Sequence, residues 1–176
     1  MKFEIDASWT LFLDRDGVIN QRILGDYVKS PETFKLLEGV GEAIARANQL
    51  FRHVVVVTNQ QGIGKGLMTT CNLNDVHRYC TELLSGFQAH IDAYYHAPAL
   101  SSESSELRKP KTGMAYLAKK DFPSIDFSKS IMVGDSHSDI EFGKNLGMKT
   151  VFISQSETHQ DADLTCASLY EFIQTL

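Results

Sequence analysis

The chain is predicted to be an α/β protein: a Rossmann-like three-layer sandwich built on a central parallel sheet. Three observations carry this. Strand-like and helix-like stretches alternate, the pattern of parallel strands joined by crossover helices. The run Val54-Val55-Val56-Val57 is apolar on both faces, as a strand covered on both sides must be. Acidic, hydroxyl and cationic residues follow several of the strand-like stretches, where open parallel sheets bind their ligands.

The elements follow in order. Residues 10–13 form a first strand, closed by Asp14-Arg15-Asp16-Gly17-Val18. A flap-like segment runs from Val18 through Gly25-Asp26-Tyr27, and Ser30-Pro31-Glu32 opens a short turn. Val40, Ile44, Ala47 and Leu50 recur at helical spacing over residues 39–50. The valine run is the central strand. Asn72 is expected to cap the next helix, with Asp75 as the reciprocal acid and Val76, Cys80, Leu83, Leu84 and Phe87 as its buried stripe. Residues 91–95 read as a strand, and Met114, Leu117 and Ala118 mark a helix beyond Pro110. Residues 131–133 are the fourth strand, and residues 140–146 a helix stopped by Gly147. A fifth strand over 150–153 and a closing helix over 169–176 complete the chain. With no repeat and no linker, residues 1–176 are expected to form one domain.

Composition bounds the function. At 176 residues and 43% hydrophobic content the chain can bury a substantial core. A net charge of −5 argues against sequence-independent nucleic-acid binding, which needs a basic face. A small anionic substrate stays compatible, because a few local cations suffice. Cys71, Cys80 and Cys166 match no metal spacing and read as reduced, half-buried thiols. The N-terminal Met1-Lys2-Phe3-Glu4-Ile5-Asp6 carries charges where a leader needs an apolar core, and no stretch approaches the roughly 20 apolar residues of a membrane span. The expectation is a soluble, cytoplasmic monomer with no nucleic-acid or membrane partner.

The chemistry lies at the strand ends. Asp14 and Asp16 point the same way from an extended segment, and Gly17 permits a sharp exit. Two carboxylates so close repel unless one is protonated or a cation intervenes. Thr58-Asn59-Gln60, Arg108-Lys109-Pro110 and Gly134-Asp135 supply a hydroxyl, an amide, two cations and a further acid. These are the parts of phosphoryl transfer through an aspartyl phosphate. Asp14 would attack phosphorus, and Asp16, held protonated, would donate to the leaving alkoxide. Asp14 with Asp135 offers hard oxygen ligands suited to Mg²⁺. Lys109 adds fixed positive charge, and Thr58 could hold phosphate oxygens.

The segments around Asp14, Thr58, Lys109 and Asp135 together resemble, in order, the four motifs of the haloacid dehalogenase phosphohydrolase superfamily. Tyr27-Val28, residues 34–40 and residues 145–150 further resemble its branch of heptose bisphosphate and histidinol phosphate phosphatases. The resemblance spans residues 11–153. It implies that Asp14 is the nucleophile, Asp16 the acid/base, and Thr58 and Lys109 phosphate ligands. It also implies that Asp14, Asp135 and the backbone carbonyl of Asp16 hold Mg²⁺, and that Asn59 and Arg108 contact substrate. The intervals between motifs leave no room for a large cap domain. A small phosphorylated metabolite follows as substrate, a sugar bisphosphate ranking first and histidinol phosphate second. A nucleic-acid 3′-phosphatase and a non-catalytic phosphate-binding protein are the rivals.

The chain departs from the branch in one respect. Where a zinc loop of three Cys and one His is common, it has His96, Pro98, Ser105 and Leu107, so no structural zinc is expected. The Ser/Glu-rich residues 101–106 read as a surface loop overhanging the site, where Glu103 and Glu106 would repel a second phosphate if they faced the cleft. Gly62-Ile63-Gly64-Lys65-Gly66 lacks the spacing of a Walker loop and reads as a turn with Lys65 at the rim. His137 and His77 read as ordinary histidines. Asp139 either binds the ion through water or caps the helix that follows.

Overall fold

The computed structural model describes residues 3–176; Met1 and Lys2, which open the charged N-terminal stretch, lie outside the described residues. Its strands are β1 (Thr10–Leu13), β2 (His53–Asn59), β3 (Ala93–Ala97), β4 (Ser130–Gly134), β5 (Lys149–Ile153) and β6 (Leu164–Cys166). They form one parallel sheet in the order β3-β2-β1-β4-β5-β6. The chain steps outward from β1 to β3, then crosses back to β4 on the other side of β1. That reversal opens a crevice at the carboxyl ends of β1 and β4.

Among the described residues, five α-helices cover the sheet: α1 (Val40–Leu50), α2 (Thr70–Ser85), α3 (Gly113–Asp121), α4 (His137–Asn145) and α5 (Leu169–Gln174). Side chains alternate across each strand, so the valine run serves two cores. Leu11, Leu13, Val54 and Val56 meet Val40, Ile44, Val76, Leu84 and Phe172 on the side of α1, α2 and α5. Phe12, Val55, Val57 and Met132 meet Met114, Ala118 and Phe142 on the side of α3 and α4. Each side chain fully buried in this way contributes about 1.5–3 kcal/mol of hydrophobic stabilisation. The three layers predicted from the alternation are present. The segments between successive strands hold only the flap, short turns and these helices, with no separate folded cap among the described residues. No helix among them is long and apolar enough to cross a membrane.

Several boundaries differ from the sequence reading, each for a local reason. Thr69, not Asn72, caps α2: Thr69 Oγ1 accepts from the Asn72 N–H at 3.1 Å, and Asn72 Oδ1 accepts from the Thr69 N–H at 2.8 Å. Asn72 is thus the reciprocal partner that Asp75 was expected to be. Helix α2 ends at Ser85, which leaves Phe87 beyond it and 43% exposed rather than in a buried stripe. Strand β3 starts at Ala93, because Asp92 turns its carboxylate back to accept from the Val54 N–H. Helix α4 starts earlier than periodicity suggests, because Ser136 and Asp139 form a capping box. The edge strand β6 is new: three residues leave no periodic mark. Asp163, just before β6, anchors it by accepting from the backbone N–H and hydroxyl of Thr150. Cys71 is exposed, while Cys80 and Cys166 are buried; all three are free thiols.

Candidate active site

Asp14 leaves β1 with its N–H still donating to the Val133 carbonyl at 2.9 Å, so the ladder between β1 and β4 fixes its backbone. Gly17 follows at φ +95°, and a Cβ there would fall 2.0 Å from Asp135 Oδ2. Only glycine lets the two motif loops approach so closely. Asp139 projects from the first turn of α4 with no exposed surface. Oxygens of Asp14, Asp135 and Asp139 lie within 4.8 Å of one another.

Lys109 enters this acidic cluster from the loop after β3. Its ammonium lies 2.8 Å from Asp14 Oδ1 and 2.6 Å from Asp139 Oδ1, and donates to the Val57 carbonyl at 2.7 Å. Burial opposes its charge, but Asp139 and Asp14 outweigh that and hold its pKa above the ordinary lysine value. Asp139 engages both oxygens, since Oδ2 accepts from the Ser136 N–H at 3.0 Å and from its hydroxyl. Asp139 therefore caps α4 and anchors Lys109. Asp14 and Asp135 are the carboxylates that keep an oxygen without a partner.

Both sit where a cation is wanted. Burial raises Asp14 to about 6, Lys109 opposing and Asp139 reinforcing the rise. Burial, with Asp14 beside it, raises Asp135 to about 7. A buried set of hard oxygen donors this crowded fits Mg²⁺, whose charge would relieve the repulsion. Among the described residues it is the one gathering of three such side chains.

Asp16 corrects an expectation. Its carboxylate is not held protonated but ringed by donors: Arg15 Nη2 at 2.9 Å to both oxygens, Asn20 Nδ2 at 2.9 Å and Gln60 Nε2 at 2.8 Å. Burial pushes its pKa up, yet the Arg15 charge and these bonds win and hold it below the ordinary aspartate value. Arg15 is itself fully buried and meets His77 Nε2 at 3.3 Å. His77, read as ordinary from sequence, is stacked on Tyr94 and kept neutral, its pKa pushed down to about 3 by burial and by Arg15. The side chain of Asp16 lies outside the carboxylate cluster; the metal role expected of it concerned its backbone carbonyl.

Asp14, Asp16, Thr58, Asn59, Arg108 and Lys109 all line one cleft of about 270 Å³, near the lower end of small-molecule sites. Asp135 borders a second hollow beside it while reaching the cluster. Thr58 is buried, its hydroxyl accepting from Gln60 Nε2 at 3.0 Å. Asn59 is more a clasp than a free ligand: its amide bonds the backbone N–H and carbonyl of Lys109 at 3.0 and 3.2 Å. Glu103 accepts from the Leu100 N–H and Glu106 pairs with Lys111; neither lines the cleft. Lys65 donates to the Tyr27 hydroxyl at 3.0 Å and steadies the flap.

Residues that sequence reasoning passed over are Arg22, whose Nη2 meets Asp135 Oδ1 at 2.9 Å, and the Asp16 partners Arg15, Asn20 and Gln60. An arginine wedged between two aspartates was a usable signal. Nothing in the local sequence distinguishes Arg22 from a solvated flap residue.

A family model described as polynucleotide kinase 3 phosphatase matches residues 10–172. The chain is 36% identical over 169 residues to the D-glycero-alpha-D-manno-heptose-1,7-bisphosphate 7-phosphatase of Mycobacterium bovis, covering 93% of this chain and 89% of that one. It is likewise 36% identical to the D-glycero-D-manno-heptose-1,7-bisphosphate 7-phosphatase of Chlorobaculum tepidum, over 85% of this chain and 80% of the relative. Among solved structures it resembles the D,D-heptose 1,7-bisphosphate phosphatase of B. bronchiseptica complexed with magnesium and phosphate. There the TM-score is 0.84 at 28% identity, with 94% and 96% of the two chains covered.

Proposed function

This chain belongs to the polynucleotide kinase 3 phosphatase family of haloacid dehalogenase-type phosphatases, and from that premise we propose that it is a Mg²⁺-dependent hydrolase of a small sugar bisphosphate, D-glycero-D-manno-heptose 1,7-bisphosphate ranking first. The observation that carries the reading is the buried Asp14–Lys109–Asp139 ion cluster beside Asp135. It leaves one oxygen of Asp14 free toward a cleft that Arg22 and Arg108 also line. Two such cations suit a substrate with two anionic ends, and the glutamates that would repel a second phosphate face elsewhere.

Asp14 attacks phosphorus through its free oxygen, forming an acyl phosphate as the bond to the leaving alkoxide breaks. Lys109 holds the other oxygen and fixes the line of attack. Asp14, Asp135 and the Asp16 carbonyl would hold Mg²⁺, which when bound neutralises charge on the transferred group. Thr58 and backbone N–H groups at the β2 end accommodate phosphate oxygens. Asp16 starts ionised, which suits it to deprotonate the attacking water in the second half-reaction. An arriving phosphate dianion raises its pKa, so it takes a proton from solvent and gives it to the leaving alkoxide in the first half-reaction. It is ionised again when water attacks the acyl phosphate and inorganic phosphate leaves.

Measuring kcat/KM on heptose 1,7-bisphosphate and on histidinol phosphate, with a 3′-phosphorylated oligonucleotide alongside, tests the proposal. The bisphosphate is expected to be preferred. A preference for histidinol phosphate above about tenfold, or 1.4 kcal/mol of transition-state binding, overturns the substrate assignment. So does oligonucleotide turnover that dominates and falls steeply with salt.

A further inference from the structure

Two cations of the cleft wall pair with residues the ion would need: Lys109, buried against Asp14, and Arg22, half-exposed against Asp135. Arg22 lies in the flap after β1, its side chain 45% exposed, with Nη2 2.9 Å from Asp135 Oδ1. The other cations nearby are committed elsewhere. Lys109 is locked between Asp14 and Asp139, Lys65 bonds the Tyr27 hydroxyl, and Lys111 pairs with Glu106. Arg108 reaches only the Ala99 carbonyl, at 3.4 Å.

From this arrangement we propose that Arg22 is a tethered competitor for the metal site, released by the ion to hold the distal anionic group of the substrate. The inference rests on the proposed function, in that it takes Asp135 as a metal ligand and the substrate as doubly phosphorylated. A guanidinium on Asp135 supplies part of the positive charge that the three carboxylates lack. A divalent ion on the same carboxylate supplies more and repels the guanidinium a few ångströms away. Arg22, unlike the buried Lys109, has open solvent and cleft to move into, so this repulsion favours its release from Asp135 Oδ1. Its long, half-exposed side chain can leave at little packing cost, and the acid nearest it on the flap, Asp26, is already paired with Lys29 at 2.9 Å. The cleft it lines therefore holds the freed, planar donor set for an incoming phosphate.

Two consequences follow. Metal affinity is weakened by the intramolecular competitor. Metal and bisphosphate bind with positive coupling, because the ion frees the group that reads the second phosphate, and the coupling is reciprocal. A substrate with one anionic end gains nothing from the release.

The test compares wild type with Arg22→Gln, a change at a partly exposed position, and with Asp135→Asn. Titration of each with Mg²⁺ alone by calorimetry reads the competition without any turnover. Arg22→Gln is expected to bind Mg²⁺ at least about threefold tighter than wild type, and Asp135→Asn at least about tenfold weaker. In turnover, Arg22→Gln should raise KM for heptose 1,7-bisphosphate about fivefold more than it raises KM for p-nitrophenyl phosphate. Unchanged or weaker Mg²⁺ binding by Arg22→Gln, with Asp135→Asn impaired, overturns the Arg22 proposal and spares the proposed function. An equal rise in KM on both substrates also overturns it. Asp135→Asn binding Mg²⁺ as wild type does overturns the metal site and the Arg22 proposal with it.

Discussion

Replacing Lys109 by methionine keeps the apolar stem and removes one buried charge from between two others. The ammonium is 2% exposed, and its partners Asp14 and Asp139 are 7% and 0% exposed, at 2.8 and 2.6 Å. Removing one side of a buried pair strands the other, a loss of about 3–5 kcal/mol. The Val57 carbonyl also loses its donor, at about 1 kcal/mol more. A total near the upper end is a large part of the 5–15 kcal/mol that holds an ordinary domain folded.

Urea unfolding followed by Trp9 fluorescence in chelator, near pH 8, reads this loss directly. The deficit should shrink on acidification, and the sign can be worked out. Asp14 stands at about 6 in the folded protein against an ordinary 3.8, with Lys109 holding it down. Without Lys109 it rises further, so the folded variant binds a proton more readily than the unfolded chain does. Its stability relative to wild type therefore recovers as pH falls through and below the folded value. Saturating Mg²⁺ should restore part of it at constant pH. A loss below about 1 kcal/mol in chelator, flat with pH, would refute the buried-pair reasoning. Lys109 would then be worth no more than a surface ion pair.

Asp16→Asn should depress turnover of alkyl phosphates more than of p-nitrophenyl phosphate, whose leaving group needs little protonation; equal losses would remove Asp16 from the acid role. His77→Gln should flatten the acid side of the stability curve. A buried imidazole held at about 3, against an ordinary 6.5, lets the unfolded chain take up the proton first, so wild-type stability falls as pH drops below about 6.5, and an unaltered slope in the variant would contradict this. Thr69→Ala should cost about 1 kcal/mol in urea unfolding by removing the α2 cap, whereas Asp75→Ala should cost little; the reverse order would restore the cap first expected at Asn72. Elemental analysis of protein purified without added metal should find no stoichiometric zinc, since Pro98, Ser105 and Leu107 offer no ligand; near-stoichiometric zinc would show the loop alignment to be wrong.

The sheet, its parallel sense and the positions of Asp14, Thr58, Lys109 and Asp135 were legible in the chain because they rest on local chemistry. A run of four valines cannot be half exposed, and a polar cluster at a strand end has few other uses. Helix ends were less legible, since Thr69, Ser136 and Asp139 act through reciprocal bonds that periodicity does not register. The edge strand β6 was too short to leave a pattern. The state of each carboxylate was not legible at all. Asp16 is ionised because Arg15, Asn20 and Gln60 converge on it, and Asp14 is raised because burial outweighs Lys109. Asp139 serves Lys109 rather than standing free, and Arg22 crosses from the flap to Asp135, 113 residues on. Charge depends on the distance and solvation of every neighbour. Those are properties of the folded crevice between β1 and β4, where segments far apart in the chain come within a few ångströms and exclude the water that would otherwise screen them.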